Sequence, residues 1–428
     1  MKKVNFVHCA DLHLGCQQFN ELERWQDFGD TFAEIVEYAI REKVDYVLIS
    51  GDLFHHRSIS APTLGQAIKL LERLKLSGIA VIAIEGNHDK AFYLERDSWM
   101  HFLNQQGYIK LLKPEVSDSV LTITPYDGQK GCLLCKEGLR IIGLGYLGVT
   151  TQARLDEISS QIDTVEDFTV VMLHAAVDRL LGQDMAGVKL ATFEGFKDKV
   201  DYFALGHIHS RYELGDMLYN PGAPECVHID EEKEGKEKGF YHITFEGRDK
   251  EVKFISSSRR AVRKLAVDIT GAEDLPQVSQ KVQKIIEAAD LQNFAQPIVQ
   301  VVLYGTIDFS SYIIDTALMA DSIKTTYDCL YVEVVNNANL PQIAGATTLA
   351  GFDRHAVERH VLGRMVAESK PEWKHMQTEM VDLILDFKQL ILGKAPEKEI
   401  ISAVERVLDN IPLAEVAVGI EGEQNHED

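Results

Sequence analysis

Positive charge is what this sequence has too little of. Its 428 residues hold 44 lysines and arginines against 66 aspartates and glutamates, a formal net charge of −22. A protein that lives on many phosphate contacts needs a basic face, so tight, extended nucleic-acid binding by this chain alone is disfavoured. Cysteine is scarce as well, and six are too few for a disulfide framework in a chain of this size. The one close pair, Cys132 and Cys135, has no second pair at a related spacing. A structural zinc site is therefore not expected, and both read as reduced thiols. No apolar run reaches the roughly 18–20 residues that span a bilayer. The start, Met1 to Val7, passes directly into a strand-like pattern and has no signal-peptide architecture. The expectation is a cytoplasmic protein with no membrane partner. Internal repeats are missing, and the only low-complexity candidate is the acidic tail, residues 414–428.

What is present is ordinary globular material, 45% hydrophobic and 26% charged, long enough for two or three units. Residues 44–50 and 80–84 are short, β-branched and bounded by turn residues, so they predict strands. Between them, residues 61–74 carry helical spacing with Pro62 near the start. Further strands are expected at 140–144, 168–173 and 202–205, then antiparallel runs around 218–219 and 239–245. The alternation predicts an α/β sandwich rather than a simple Rossmann sheet. Ser256 to Arg260 reads as a connector. After it comes a βαββ-like stretch, with strands near 265–269, 298–304 and 330–335 and a helix over 275–289. From Asp353 the pattern is helical, in pieces separated by Pro371 and Pro396. The boundaries implied are 1–255, 262–345, 353–413 and 414–428.

The chemistry lies at the strand ends. Asp11-Leu12-His13 follows the first strand, Gly51-Asp52-Leu53-Phe54-His55 the second, and Gly86-Asn87-His88-Asp89 the third. His174 ends the strand at 168–173, and Gly206-His207-Ile208-His209 follows 202–205. Five strand ends thus each deliver an Asp, Asn or His to one sheet edge, where α/β folds place ligands. Carboxylate, imidazole and amide together suit borderline divalent ions such as Mn²⁺. One Asp can bridge two cations with its two oxygens for phosphoryl chemistry. The glycines before Asp52, Asn87 and His207 allow the backbone to approach closely. A lone Asp-x-His or His-x-His is usually a surface or core feature, but the ordered set, each behind a strand, points to two metals.

These motifs resemble the calcineurin-like metallophosphoesterase superfamily. Within it, Asp11-Leu12-His13-Leu14-Gly15 with Gly51-Asp52-Leu53-Phe54-His55 is similar to the SbcD / meiotic-recombination-eleven family of double-strand-break repair nucleases. Asn220-Pro221-Gly222-Ala223-Pro224-Glu225 matches that family's turn after His-x-His, with Ala where Ser is common. The resemblance implies a metallophosphoesterase β-sandwich flanked by helices, a small α+β capping domain and C-terminal helices. It places one Mn²⁺ on Asp11, His13, Asp52 and His209. It places a second on Asp52, Asn87, His174 and His207, with Asp52 bridging. His88 would face the phosphate, Asp89 would orient His88, and His55 would sit near the substrate. The two cations would activate a water for in-line attack on phosphorus.

Bland roles suit other residues better. His8 and Cys9 read as packing, His56 as solvated, and Tyr126, Phe193 and Tyr212 as structural. Arg57, Lys90 and Arg211 are candidates for DNA phosphate contacts. Trp373, Met376, Met380, Leu383, Phe387, Leu390 and Ile391 form one helical face. The resemblance makes that face the docking site for an SbcC-type coiled-coil ATPase, and it implies a homodimer acting on DNA. The alternative is an enzyme of the same fold acting in antiphage defence or on small phosphodiesters. A phosphoprotein phosphatase is disfavoured, because Asn87-His88 is followed by Asp89 where those enzymes carry Glu.

Overall fold

In the computed structural model the described residues are 3–92, 95–117, 120–136, 138–178, 187–232 and 237–339, then 359, 362–363, 366 and 377–392. The chain divides into two compact units, residues 1–269, 275–305 and 314–337 in the first and 270–274, 306–313 and 338–428 in the second.

The first unit opens with β1 (Val4–Cys9), α1 (Leu22–Glu42), β2 (Tyr46–Ser50), α2 (Ala61–Leu76), β3 (Ala80–Ile84), α3 (Trp99–Gln105) and β4 (Lys110–Leu111). A hairpin, β5 (Glu115–Ser117) and β6 (Val120–Thr122), leads to β7 (Leu133–Lys136), β8 (Leu139–Gly145) and α4 (Thr151–Ser159). Then come β9 (Phe168–His174), β10 (Tyr202–Gly206), β11 (Tyr212–Leu214), β12 (Leu218–Asn220), β13 (Gly239–Glu246) and β14 (Asp249–Ser256). They make two six-stranded sheets, ordered β14-β13-β1-β2-β3-β4 and β11-β12-β10-β9-β8-β7.

Strand alternation explains why the sheets face each other. Phe6, Leu48, Ile82 and Ile84 of the first sheet bury with Ile141, Val170, Met172, Tyr202 and Ala204 of the second. The odd-numbered Val7, Val47, Ile49 and Val81 point the other way, onto Phe32, Ile35, Val36, Leu71 and Leu74 of α1 and α2. Both faces are covered, so these strands read as continuous apolar runs. α2 begins where Ser60 caps the Thr63 N–H, with Pro62 in its first turn. β1, β2 and β3 run parallel, as do β8, β9 and β10. Parallel order brings their C-terminal ends to common edges.

After β14 the connector is tied down. Arg260 makes a two-pronged contact with Asp27 at 2.7 and 2.8 Å, and Ser258 bonds Glu34. Beyond it are β15 (Val262–Asp268), α5 (Leu275–Ala288), β16 (Ile298–Thr306), α6 (Thr316–Thr326) and β17 (Tyr331–Asn339), with sheet order β15-β16-β17. This is βαβαβ, not the βαββ that the sequence predicted. The missed helix, α6, starts at Asp315, whose carboxylate accepts the Leu318 N–H at 2.9 Å.

In the second unit, α7 (Gln377–Leu392) carries Met380, Leu383, Phe387 and Leu390 half-buried. Among its described side chains Val381 is buried. Trp373, Met376, the tail 414–428 and the Ile391 side chain lie outside the described residues, as does most of 353–413. No described helix is long and apolar enough to cross a membrane. Cys132 is buried and Cys135 exposed, and both are free thiols.

Candidate metal centre

All the strand-end donors meet at one edge. Asp11, His13, Asp52 and His207 adopt positive φ (54°, 46°, 51° and 90°). Non-glycine residues rarely do this, and such strain is held at functional sites by surrounding structure. Here the hold is visible: Asp11 N–H donates to Gly51 O (3.1 Å), His13 N–H to Asp52 O (3.0 Å), and both Asp11 oxygens accept the His207 N–H (3.1 Å). Glycine is needed beside the donors for space. A Cβ at Gly51 would run into His174 Nδ1, and one at Gly86 into the Asp52 carboxylate.

The donor atoms converge. His13 Nε2 is 3.1 Å from His209 Nε2, and Asn87 Oδ1 is 3.0 Å from His207 Nδ1 and 3.2 Å from His174 Nε2. Asp52 Oδ2 lies 3.2 Å from His174 Nε2 and 4.0 Å from His13 Nε2, between the two ligand sets. Its other oxygen, Oδ1, accepts the His88 N–H at 2.9 Å. Donor atoms of Asp11, His13 and His209, and of Asp11, Asp52 and His174, lie within 4.8 Å of one another.

Tautomers are fixed from behind. His174 Nδ1 donates to Ser50 O (2.8 Å) and His209 Nδ1 to Glu231 Oε1 (2.6 Å), so each ring, once neutral, turns an Nε2 lone pair inward. Oxygen and nitrogen lone pairs facing one another at such spacing suit divalent cations. Against its burial, the neighbouring Asp52 charge lifts His174 to about 9. Burial and the nearby His174 push His207 down to about 4. Cations at this edge would displace the His174 proton. Despite its burial, Glu231 is held down at about 2 by its bond to His209 and by Lys238, 2.7 Å away.

His88 and His55 stand beside the donors, rings 5.7 Å apart and near parallel, with His13 5.0 Å from His88. One expectation fails here. Asp89 does not orient His88; its carboxylate accepts N–H groups from Gly86 (3.0 Å), Leu53 (3.2 Å) and Phe54 (3.0 Å). The three-residue turn folds the Asp89 side chain back onto its own loop, where it ties two motifs together. The His55 carbonyl orients His88 instead, accepting from Nδ1 at 2.6 Å.

Of the cations, Arg57 reaches Asn87 O at 3.3 Å on the rim, while Lys90 lies over the Tyr146 ring. Arg211 is elsewhere, over Phe254 at 4.0 Å and beside Glu213 and Glu237. His8 is a packing residue, donating from Nε2 to Leu205 O (3.0 Å) and accepting from Tyr202 O–H (2.9 Å). His56 is exposed and Phe193 buried. Tyr126 bonds Asn104 and Gly128.

Two residues escaped the sequence reading. Tyr146 directly follows β8, its ring 5.6 Å from His207, and the strand end was the available signal. Glu231 sits in an acidic stretch where nothing distinguishes it from Asp230 or Glu232.

Comparison with known proteins agrees with this geometry. Residues 4–211 match the calcineurin-like phosphoesterase family. The DNA double-strand break repair protein Mre11 of Sulfurisphaera tokodaii is 30% identical over 315 residues, 71% of this chain and 74% of the relative. That of Archaeoglobus fulgidus is 28% identical over 337 residues, 72% and 74% of the two chains. An uncharacterized metallophosphoesterase of Bacillus subtilis, YhaO, is 27% identical over 411 residues, 87% of this chain and 95% of its own. With catalytic-edge geometry and ancestry in agreement, the chain belongs to the SbcD / Mre11 nuclease family of calcineurin-like metallophosphoesterases, and it is a metal-dependent phosphodiesterase.

Proposed function

We propose that this chain is a manganese-dependent DNA exo- and endonuclease subunit that uses two metal ions in double-strand-break repair. The observation that carries the reading is the convergence of seven side chains from five strand ends, with His88 beside them. Asp11, His13, Asp52 and His209 would hold one cation, and Asp52, Asn87, His174 and His207 the other. When bound, such cations supply Lewis acidity, activation of water and charge neutralisation for phosphodiester hydrolysis. His88, with Nδ1–H fixed on the His55 carbonyl, keeps Nε2 for the leaving oxygen and its proton. Asp89 holds the two motif turns in register, and His55 lines the approach.

The charge of −22 supports a cutting subunit whose grip on DNA is shared. We place it in the cytoplasm as a homodimer. An SbcC-type coiled-coil ATPase would dock on the C-terminal helices, where Met380, Leu383, Phe387 and Leu390 make a half-buried apolar row. The same charge favours a second reading, an enzyme of this fold for small phosphodiesters or in antiphage defence.

The test is incubation of the pure protein with labelled single- and double-stranded DNA in Mn²⁺, Mg²⁺ or EDTA. Cleavage in Mn²⁺ and none in EDTA is the expected result. Hydrolysis of a simple diester with no cutting of either DNA would refute the nuclease reading in favour of the second.

A further inference from the structure

Beside the donor cluster lies a cavity of ≈ 690 Å³, with His55 and His228 among its lining. The first has its Nδ1 3.4 Å from that of His13, and the second has its ring parallel to His209 at 6.3 Å. The cavity therefore adjoins the metal edge. Its other walls come from the loop after β1, from Trp25 and from the start of α2.

These walls are held, not incidental. Phe19 and Asn20 both sit at positive φ (62° and 60°), a conformation bulky residues avoid. The Phe19 ring is kept there by stacking on Tyr331, centroids 3.7 Å apart and planes within 7°. Gln18 Nε2 donates to Val227 O (3.1 Å), while buried Arg24 donates to Gln18 Oε1 (3.1 Å) and Cys226 O (2.9 Å). Two distant segments are thus tied into one rim, and strain held by its surroundings points to a function.

The lining tells which ligand chemistry fits. Among the described residues no Lys or Arg lines it, and its carboxylate, Asp230, is paired with Lys264. A phosphate has no counter-charge there. Trp25 has donated its N–H to Thr63 Oγ1 (3.1 Å), which leaves the indole π-surface as its offering. Gln17, Asn20, His56 and His228 add amides and imidazoles, which recognise neutral heterocycles and hydroxyls. A phosphodiester of nucleic acid places a charged phosphate between two uncharged nucleosides. The metal edge suits the first and this cavity the second, with a volume usual for small-molecule pockets.

We propose that the cavity is a nucleoside subsite: it takes the base and sugar on one side of the scissile phosphate, the base against Trp25. The inference rests on the nuclease reading and adds a recognition element to it.

The test compares two diesters with the same leaving group, methyl p-nitrophenyl phosphate and thymidine 5′-p-nitrophenyl phosphate, using the full chain with Mn²⁺. The unmodified protein should prefer the nucleoside ester by about tenfold in kcat/KM, the order of one base–aromatic stack. Trp25→Ala should lower that preference ratio to near one, and Trp25→Phe should keep most of it. Ser58→Trp, which crowds the cavity from an exposed position, should lower the ratio as well. Thymidine 5′-monophosphate should quench tryptophan fluorescence saturably in EDTA, and should do so far less in Trp25→Phe. An unmodified protein without preference, or equal losses on both esters in Trp25→Ala and Ser58→Trp, would overturn the subsite. If DNA is cut but the ratio is flat, the subsite alone is wrong. If DNA is not cut while the ratio behaves as stated, the nuclease reading is wrong and the subsite stands.

Discussion

The donor edge and the cavity beside it meet at His55 but are assembled differently. Each donor lies within four residues of a strand end, from His174 at the end of β9 to His13, four past Cys9. Parallel strands of two facing sheets then aim them at one point. The cavity is enclosed by loops more than two hundred residues apart in sequence, as Gln18 and Val227 show, and by a strained turn stacked on Tyr331. Chemistry sits on rigid strand ends, and recognition sits on loops. A rigid edge fixes reacting atoms, whereas loops shape the space around them.

The sharpest test of the donor edge is Asp52→Asn. If Asp52 Oδ2 joins the two ligand sets, hydrolysis should be abolished, and bound manganese should fall from two ions per chain to one or fewer by plasma mass spectrometry. Two retained ions would break the picture. His88→Ala comes next: if His88 acts on the leaving group, a rate loss of about 10²–10⁴-fold is expected with metal content kept. Loss of metal as well would make it a ligand.

Glu231 probes whether the edge is as local as it looks. It follows directly on the cavity segment 227–230 yet accepts from His209 Nδ1 at 2.6 Å. Glu231→Gln should weaken manganese affinity by about 10–100-fold, measured by titration calorimetry, with the fold intact. Unchanged affinity would show that the strand ends need no help from the loops.

The smallest expected effect concerns His8, beneath the edge. Burial lowers it to about 3 from the ordinary 6.5, so the unfolded chain takes up the proton first. Its contribution is complete above pH 6.5 and is lost as pH falls toward 3. At pH 5.5 the loss is about 1 kcal/mol. Urea unfolding of the metal-free protein at pH 7 and 5.5 should show a smaller difference in His8→Gln than in the unmodified chain. Equal differences would mean that His8 can be protonated in place.

The sequence made the donor edge legible because strand alternation and strand-end motifs are short-range. Val47, Leu48 and Ile49 are buried on both faces, which is why residues 44–50 stand out as a run. The seven donors could be picked because each is anchored to such a run. α6 was missed although Asp315 caps it, since its eleven residues bury only Ile323 and so show little periodicity. Asp89 was read by adjacency to His88, and the turn geometry that folds it toward Gly86 and Phe54 is not written in residue order.

By itself the sequence determined the strands, the donors at their ends and the net acidity of the chain. These follow from residue type and from periods of two and four. Tertiary structure decided which donors face each other, that Oδ2 of Asp52 stands between them, and that Glu231 and the His55 carbonyl orient the rings. It also made the cavity from Phe19, Trp25 and Val227. Such choices depend on directional contacts between distant residues, and a linear pattern carries no record of direction.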